Sequence, residues 1–324
     1  MTNPESLLKL VDARIEEYRS GLSDSNLYSP IAYMMGLGGK RMRPVLTLLG
    51  CELFEGRAED ALEPALAIEV FHNFTLLHDD IMDNAPVRRG LPTVFKKWGT
   101  SSAILSGDVM SIHACHILAE MNHPRSLDVI RELNRAAIEV CEGQQMDMDF
   151  EMYKSVDLDQ YIEMIRLKTA CLLAGALRMG AIVAGAPEAD TKLISDFGEN
   201  MGIAFQIMDD YLDVFGDQEK VGKQTGGDII AGKKTFLVLE ALALSHGTER
   251  EEFSELISDR TMEATSKVEK VIAIYRKLGV PEATLKAADN YVNRAMEALN
   301  SIAAPDHRKQ VILEYLNTIA RRQH

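Results

Sequence analysis

Apolar residues recur at helical spacing through almost every long segment of this chain. Three examples are residues 7–18, 129–147 and 158–183, in which the apolar side chains fall on one face of a helix with about 3.6 residues per turn. The alternation of apolar and polar residues that marks strands is hard to find. Short polar or Gly/Pro-rich clusters, such as 21–26 and 184–190, separate the periodic segments, and their length is typical of connections between helices.

The pattern therefore predicts an all-α fold, built as a bundle of helices. No linker is rich enough in Pro, Gly or Ser to mark a domain boundary, so we expect residues 1–324 to form a single domain. A chain of 324 residues, of which 46% are hydrophobic, is long enough to bury a sizeable core.

Three aspartates stand inside one of the apolar segments. Asp79, Asp80 and Asp83 follow the sequence FTLLH, and Arg88 and Arg89 come shortly after them. On a helix, Asp79 and Asp83 point the same way one turn apart, and like charges at that spacing repel each other. Acidic clusters on helices are usually solvated, but the apolar neighbours leave this segment little polar surface. The carboxylates therefore need a cationic partner, which is either the arginines or a metal ion.

A second copy of the pattern favours the metal ion. Asp209, Asp210 and Asp213 have the same spacing and the same kind of apolar neighbours in the sequence FQIMDDYLDVFGD. Two such motifs, with no base inside either, indicate oxygen ligands that face each other across a cavity and hold hard cations. Carboxylate sites without cysteine or paired histidine favour magnesium, whose ligand shell is usually completed by water and substrate phosphates. The sequence thus indicates a phosphate ester as the substrate.

Net charge, cysteine content and the N-terminal sequence indicate the cellular compartment and exclude some classes of partner. The net charge of −14 disfavours nucleic acid or an anionic membrane as a general partner. The four cysteines are scattered without a CxxC pair, which is typical of reduced thiols. The polar, amphipathic N-terminal segment does not resemble a signal peptide, and no apolar run reaches the length of a membrane span. We therefore predict a cytoplasmic protein with no stable membrane span.

Basic residues in the stretch GLGGKRMRP are candidate anion ligands. Lys40, Arg41 and Arg43 stand between a pair of glycines and Pro44. This order indicates either a helix N-terminus whose free N–H groups bind an anion, or an ordinary exposed loop before a helix. Lysine and arginine at such a position add donors for phosphate oxygens, and those of arginine are bidentate.

Other candidate phosphate donors are less specific. His72 and His78 are either donors to phosphate or core histidines whose hydrogen bonds are satisfied internally. The glycine-rich segment after the second aspartate motif is a candidate mobile loop, and it carries Lys223, Lys233 and Lys234.

In combination, these motifs resemble a known family. GGKRMRP, FHNFTLLHDDIMDNAPVRRG, LKT, FQIMDDYLD and GKQTGGDIIAGKKT occur in the order and spacing of the trans-isoprenyl diphosphate synthases, the short-chain polyprenyl synthetases that include farnesyl and geranylgeranyl diphosphate synthases. The resemblance runs from about Gly38 to Thr235, and its two DDxxD motifs with RRG are highly specific together. It implies the isoprenoid synthase fold, an all-helical bundle around a deep central cavity, usually assembled as a homodimer.

The resemblance also implies a reaction and a set of sites. Members of the family condense isopentenyl diphosphate with dimethylallyl, geranyl or farnesyl diphosphate, and use about three Mg²⁺ ions per active site, which Mn²⁺ can replace. The implied direct metal ligands are Asp79, Asp83 and Asp209, assisted by Asp80, Asp210 and Asp213. The implied catalytic residues, which face the ionising allylic substrate, are Lys168, Thr169 and Gln206. The implied substrate-binding residues are Arg88, Lys223 and Lys233 for the allylic diphosphate and Gly39, Lys40, Arg43, His72 and Arg89 for isopentenyl diphosphate.

Product length is expected to depend on the helix before the first aspartates. Residues one to two turns before Asp79 line the pocket that the growing apolar tail enters. The resemblance assigns the floor of that pocket to the fifth position before the motif, which is Phe74, with Phe71 a further turn back. The small Thr75 leaves room beside Phe74. We therefore expect farnesyl or geranylgeranyl diphosphate, with geranylgeranyl favoured, unless Phe74 is ordinary core.

Three alternatives share parts of this pattern. A longer-chain polyprenyl diphosphate synthase has the same site with a deeper tunnel. A terpene cyclase also ionises a diphosphate with metal ions, but it has no use for the second diphosphate site that GGKRMRP and Arg89 indicate. A non-catalytic prenyltransferase subunit is expected to lack aspartates from one motif, whereas both motifs are complete in this sequence.

Overall fold

Helices form almost all of the regular structure of the protein. A computed structural model describes residues 1–153, 155–216 and 226–321, and over these residues it confirms the prediction of an all-α fold. In chain order the helices are α1 (Pro4–Gly21), α2 (Ser29–Gly36), α3 (Met42–Leu53), α4 (Leu62–Met82), α5 (Val94–Trp98), α6 (Thr100–Ala119), α7 (Ser126–Met152), α8 (Leu158–Ile165), α9 (Cys171–Val183), α10 (Glu188–Phe215), α11 (Gly227–Ala231), α12 (Phe236–Leu244), α13 (Gly247–Ser258), α14 (Ala264–Leu278), α15 (Val280–Ser301) and α16 (Asp306–Arg321).

A π-helical turn, Arg166–Ala170, joins α8 to α9. Periodicity predicted one continuous helix over 158–183, and it could not reveal this turn because a π-turn adds a residue without changing the apolar character of the segment. A Cβ at Gly202 of α10 would lie 2.6 Å from Cα of Ala170. Glycine at that position therefore allows α10 to approach the turn closely.

The described residues divide into two compact units. Unit 1 comprises Met1–Ala137, Gly175–Ser195 and Ile302–Ile319. Within it, α4 is buried continuously over Pro64–Phe71 and packs against α3 and α6. A short antiparallel hairpin, β1 (Val87–Arg88) and β2 (Leu91–Pro92), follows α4 in the chain.

Unit 2 contains Ile138–Ala174 and Asp196–Ser301, apart from the residues outside the described ranges, together with the chain from Ala320. One of its apolar clusters joins α8, α10 and α12 through residues such as Tyr161, Ile207 and Phe236. That residues 1–324 form a single domain stays a prediction.

Helix α6 differs from the others in its apolar content. Among the described residues it is the one helix that is long and apolar enough to be a candidate membrane span, and 33% of its apolar stretch is buried. A single helix of this kind is weak evidence for a span, because core helices have the same properties. Its solvent-facing side nevertheless carries large apolar residues, of which Ile104, Leu105 and Ile112 are 44%, 56% and 65% exposed.

Candidate active site

The first aspartate motif lies at the C-terminal end of α4. Asp79 and Asp80 occupy its last turn, and Asp83 ends the helix, with its backbone N–H donating to the carbonyl oxygen of Asp79 at 2.8 Å. The helix macrodipole places partial negative charge at this end. Asp79 is half-buried and Asp83 is exposed. These two carboxylates therefore add to a local field that already attracts cations.

Asp80 is buried and paired with Arg88. Nε of Arg88 lies 2.9 Å from both carboxylate oxygens of Asp80, and Nη2 lies 2.8 Å from Oδ1. Arg88 is held in place by the hairpin, whose two central residues, Arg89 (φ 53°) and Gly90 (φ 77°), have the positive φ angles of a type I′ turn. The arginine is thus the cationic partner of the middle aspartate.

The second motif repeats this arrangement near the C-terminal end of α10. Asp209 is exposed, Asp213 is half-buried and Asp210 is buried. Oδ2 of Asp210 accepts hydrogen bonds from the Tyr161 hydroxyl at 2.5 Å and from the backbone N–H of Phe236 at 2.9 Å. Burial raises the pKa of Asp210 to about 7, while both donors act in the opposite direction because they favour the ionised form. In each motif, the protein itself holds the middle aspartate.

The outer aspartates fit magnesium that is also coordinated by a substrate. Among the described residues, no group of three or more His, Cys, Asp or Glu side chains is arranged to hold a metal ion. Magnesium is usually bound by one or two carboxylates, with substrate phosphates and waters as its other ligands. Asp79 with Asp83, and Asp209 with Asp213, offer that number of carboxylates. The metal, and the expectation that the two motifs face each other across a cavity, stay predictions.

The stretch GLGGKRMRP leads into the N-terminus of α3, a position that both interpretations share, and anion binding there stays a prediction. The backbone approaches the helix through Gly38 (φ 79°), Gly39 (φ 138°) and Arg41 (φ 49°), all with positive φ, and Lys40 is exposed. Nη1 of Arg89 donates to the carbonyl oxygen of Gly38, and a Cβ at Gly39 would lie 2.8 Å from Nη2. Glycine therefore gives Arg89 room to lie against the basic loop.

Arg43 and His72 meet beside this loop. Nη1 of Arg43 lies 3.0 Å from Nε2 of His72. Because a guanidinium can only donate, Nε2 must accept, and we assign the imidazole proton to Nδ1. Burial and the positive charge of Arg43 lower the pKa of His72 well below its ordinary value. His72 is therefore neutral, with Nδ1–H as its donor.

Arg41 is turned away from its basic neighbours. The sequence placed it with Lys40 and Arg43 among the phosphate donors, but its side chain is buried. Nη1 lies 2.6 Å from Oε1 of Glu69, and Nη2 donates to the carbonyl oxygen of Met35 at 3.0 Å. Its interpretation as a phosphate ligand is wrong, because the guanidinium is used in a buried ion pair that fastens the loop to α4.

Lys168 and Thr169 lie on the π-turn of unit 2. Nζ of Lys168 lies 2.5 Å from Oδ2 of Asp147 on α7, and the hydroxyl of Thr169 donates to Oε1 of Gln206 at 3.3 Å. The structure therefore brings Thr169 and Gln206 together and adds Asp147 as the partner of Lys168. Asp147 could not be predicted from the sequence, because it is one of several acidic residues on a helix and spacing alone does not distinguish them.

The lysines that follow the second motif have different environments. Lys233 is exposed, with Nζ 3.8 Å from Oδ1 of Asp228. Nζ of Lys234 donates to the carbonyl oxygens of Phe150 and Tyr153, at the C-terminal end of α7 and just beyond it. Lys223 lies outside the described residues.

The residues expected to control product length share one stretch of α4. Ring centroids are 5.4 Å apart for Phe71 and Phe74, and 4.7 Å apart for Phe74 and His78. The Thr75 hydroxyl donates to the carbonyl oxygen of His72 at 2.8 Å. Nε2 of His78 lies 3.2 Å from the carbonyl oxygen of Ile104, which favours the core interpretation of this histidine.

Comparisons with known proteins agree with these motifs. Residues 24–278 match the family model of polyprenyl synthetases. The chain is 37% identical over 325 residues to the geranylgeranyl diphosphate synthase of Sulfolobus acidocaldarius, with 98% of this chain and 97% of the relative covered. It is 36% identical over 314 residues to the geranylfarnesyl diphosphate synthase of Aeropyrum pernix, with 95% and 97% covered. A crystal structure of a geranylgeranyl pyrophosphate synthase superposes with a TM-score of 0.92 at 40% identity, with 98% and 99% covered.

Proposed function

Because the chain belongs to the polyprenyl synthetase family, we propose that it condenses isopentenyl diphosphate with an allylic diphosphate to give geranylgeranyl diphosphate. The observation that carries this proposal is the pair of complete aspartate motifs, each near a helix C-terminus and each with its middle carboxylate held by the protein. The geranylgeranyl diphosphate synthase of Sulfolobus acidocaldarius supports this product, and the geranylfarnesyl diphosphate synthase of Aeropyrum pernix supports the same type of reaction.

The allylic substrate is the electrophile of the reaction. Asp79, Asp83 and Asp209 would hold Mg²⁺, which when bound would supply positive charge to stabilise the departing diphosphate. Arg88, Lys168 and Lys233 add fixed positive charge for the same leaving group. The oxygens of Thr169 and Gln206 orient their dipoles toward the allylic cation.

The second substrate is the nucleophile. Lys40, Arg43, Arg89 and the Nδ1–H of His72 bind the diphosphate of isopentenyl diphosphate and hold its double bond close to the cation, so that attack is faster than capture by water. A carbon–carbon bond forms, and the intermediate loses a proton to the released diphosphate. A dedicated histidine base is not needed, which is compatible with the lowered pKa of His72.

Incubation of the purified protein with labelled isopentenyl diphosphate and each allylic primer tests this function. We expect geranylgeranyl diphosphate as the main product in the presence of Mg²⁺. Longer products would instead identify a longer-chain polyprenyl diphosphate synthase. Failure of the folded protein to incorporate label with any primer would favour a non-catalytic subunit.

The two substrates are expected to respond to different substitutions. Lys40→Ala or Arg89→Ala should mainly raise the KM for isopentenyl diphosphate, because each removes a fixed charge from its diphosphate. Lys168→Ala should mainly lower kcat with the allylic substrate, because Lys168 acts on the departing diphosphate. Steady-state kinetics with each substrate varied in turn measures both effects. Equal changes for both substrates in all three variants would contradict this assignment.

We also propose that the protein is a cytoplasmic homodimer that associates through the exposed apolar side of α6. Exposed apolar side chains clustered on one helix are typical of protein interfaces, and α6 exposes Ile104, Leu105 and Ile112. Ile112→Glu should convert the dimer to a monomer in sedimentation velocity experiments. Leu285→Glu, at an exposed apolar residue of α15, is the matched control and should leave the mass unchanged. A wild-type monomer at micromolar concentration would contradict the proposal.

A further inference from the structure

The imidazole of His78 lies between the side chain of Phe74 and the backbone of α6. Its ring centroid is 4.7 Å from that of Phe74, with an interplanar angle of 67°, an edge-on contact. On its other side, Nε2 lies 3.2 Å from the carbonyl oxygen of Ile104. A carbonyl oxygen only accepts, so Nε2–H is the donor. The hydrogen bond and the aromatic contact fix the imidazole from two sides.

Gly107 of α6 provides the space that the imidazole occupies. A Cβ at this glycine would lie 2.6 Å from Cδ2 of His78 and closer still to Nε2, whereas real Cβ atoms essentially never come within 3.0 Å of a heavy atom of a residue distant in the chain. Gly107 lies inside α6, where glycine is less favourable than alanine by about 1 kcal/mol. The missing side chain therefore has a structural use here, which is to admit His78.

The position of Phe74 depends on this arrangement. Its ring is flanked by Phe71 at 5.4 Å on one side and by His78 at 4.7 Å on the other. Because aromatic side chains move by rotation about their side-chain torsions, a neighbour on each side reduces the number of rotamers open to Phe74. Removal of either neighbour would open a path for rotation.

We propose that His78, seated against Gly107, is a positioning residue that sets product length by holding the Phe74 ring in the path of the growing chain. The inference rests on the proposed function, since it concerns where elongation stops. It assigns to His78 no contact with diphosphate or metal, because the imidazole is directed to the Ile104 carbonyl oxygen. It also gives Gly107, which lies on a different helix from the aspartates, a part in specificity.

Removal of the His78 imidazole and its displacement toward Phe74 should have opposite effects on product length. His78→Ala removes the neighbour of Phe74, so we expect the main product to become longer by one or more isoprene units. Gly107→Ala forces the tip of the imidazole away from α6 and toward Phe74, so we expect shorter products. In the double variant the new methyl group has no imidazole to displace, and the product should match that of His78→Ala alone.

Chromatography of dephosphorylated products measures all three variants, with thermal unfolding recorded alongside. His116→Ala, which removes an exposed histidine from α6, is the control and should leave the product unchanged. His78→Asn, which keeps a donor and loses the ring, replaces His78→Ala if the alanine variant does not fold and should also lengthen the product. A purely structural role for His78 would lower thermal stability without a change in product length.

Two results would overturn the inference. One is an unchanged product from a folded His78→Ala or His78→Asn enzyme. The other is a shift with Gly107→Ala that persists in the double variant, because that shift could not act through the imidazole. In both cases the wild-type enzyme would still make a prenyl diphosphate, so the proposed function would stand. A wild-type protein without product would overturn the proposed function as well.

Discussion

Replacement of Asp79 or Asp209 with alanine is expected to lower kcat by about 10²- to 10³-fold or more, on the scale of losing one strong electrostatic contact to a transition state. Without magnesium, the carboxylates would face a diphosphate of the same charge, and the C-terminal dipoles of α4 and α10 would increase the repulsion. Excess chelator should therefore abolish activity, and Mg²⁺ or Mn²⁺ should restore it. Turnover measured at saturating substrate concentration checks the effect of each substitution.

The middle aspartates provide a control inside the same motifs. Asp80→Ala breaks the ion pair between a buried carboxylate and the half-buried Arg88 and should reduce the free energy of unfolding by about 1 to 3 kcal/mol. Asp79→Ala removes a half-buried carboxylate that repels its neighbours, so its thermal unfolding should stay close to that of the wild type. Full activity in excess chelator would rule the metal mechanism out. Equal destabilisation by both substitutions would contradict the different roles assigned to Asp79 and Asp80.

The helices could be predicted because apolar periodicity is a direct consequence of burying one face. The predicted segments at 7–18 and 129–147 lie inside α1 and α7. The π-turn at Arg166–Ala170 could not be predicted in this way. The turn is closely approached by α10 at Gly202 and by α7 at Gly143, and such packing between separate helices leaves no periodic signal in the sequence.

The roles of single residues at the site could likewise be predicted only in part from the sequence. Lys40, Arg41 and Arg43 are close together in sequence. Only the fold shows that the side chain of Arg41 is buried, where it forms an ion pair with Glu69. Sequence spacing also does not distinguish the aspartates within each motif from one another. Their difference arises from Arg88 in one motif and Tyr161 in the other, at sequence separations of 8 and 49 residues from the buried carboxylate. Motifs identify the residue types at a site, and tertiary contacts decide which of them are available to a ligand.

Both acidic motifs lie at or near the C-terminal end of a helix. The carboxylates of Asp79 and Asp83 lie at the C-terminal end of α4, and those of Asp209 and Asp213 lie near the C-terminal end of α10. Acidic residues are unfavourable there, because the macrodipole is already negative. Their repetition at two such ends is more informative than either motif alone, since the helix dipoles disfavour it and a bound cation would offset that cost.

Truncation of Phe74 to alanine is expected to lengthen the prenyl product. The ring lies on α4 about one and a half turns before Asp79, on the stretch expected to line the tail pocket, and it is packed between Phe71 and His78. Alanine removes the floor, so the tail can extend by further isoprene units before it is blocked. Phe71 is buried a turn further back, and Phe71→Ala added to Phe74→Ala should lengthen the product again.

Destabilisation must be separated from this change in specificity. Truncation of a buried phenylalanine costs about 3 to 5 kcal/mol, and an ordinary core role for Phe74 would produce that cost without a change in product. Phe74 is half-buried, so Phe253→Ala in unit 2, which removes a fully buried ring, is the stricter control for lost core packing: it should lower thermal stability and leave product length unchanged. Chromatography of dephosphorylated products from the folded variants gives the answer. Unchanged product lengths in both Phe74→Ala and the double variant would mean that α4 does not set where elongation stops.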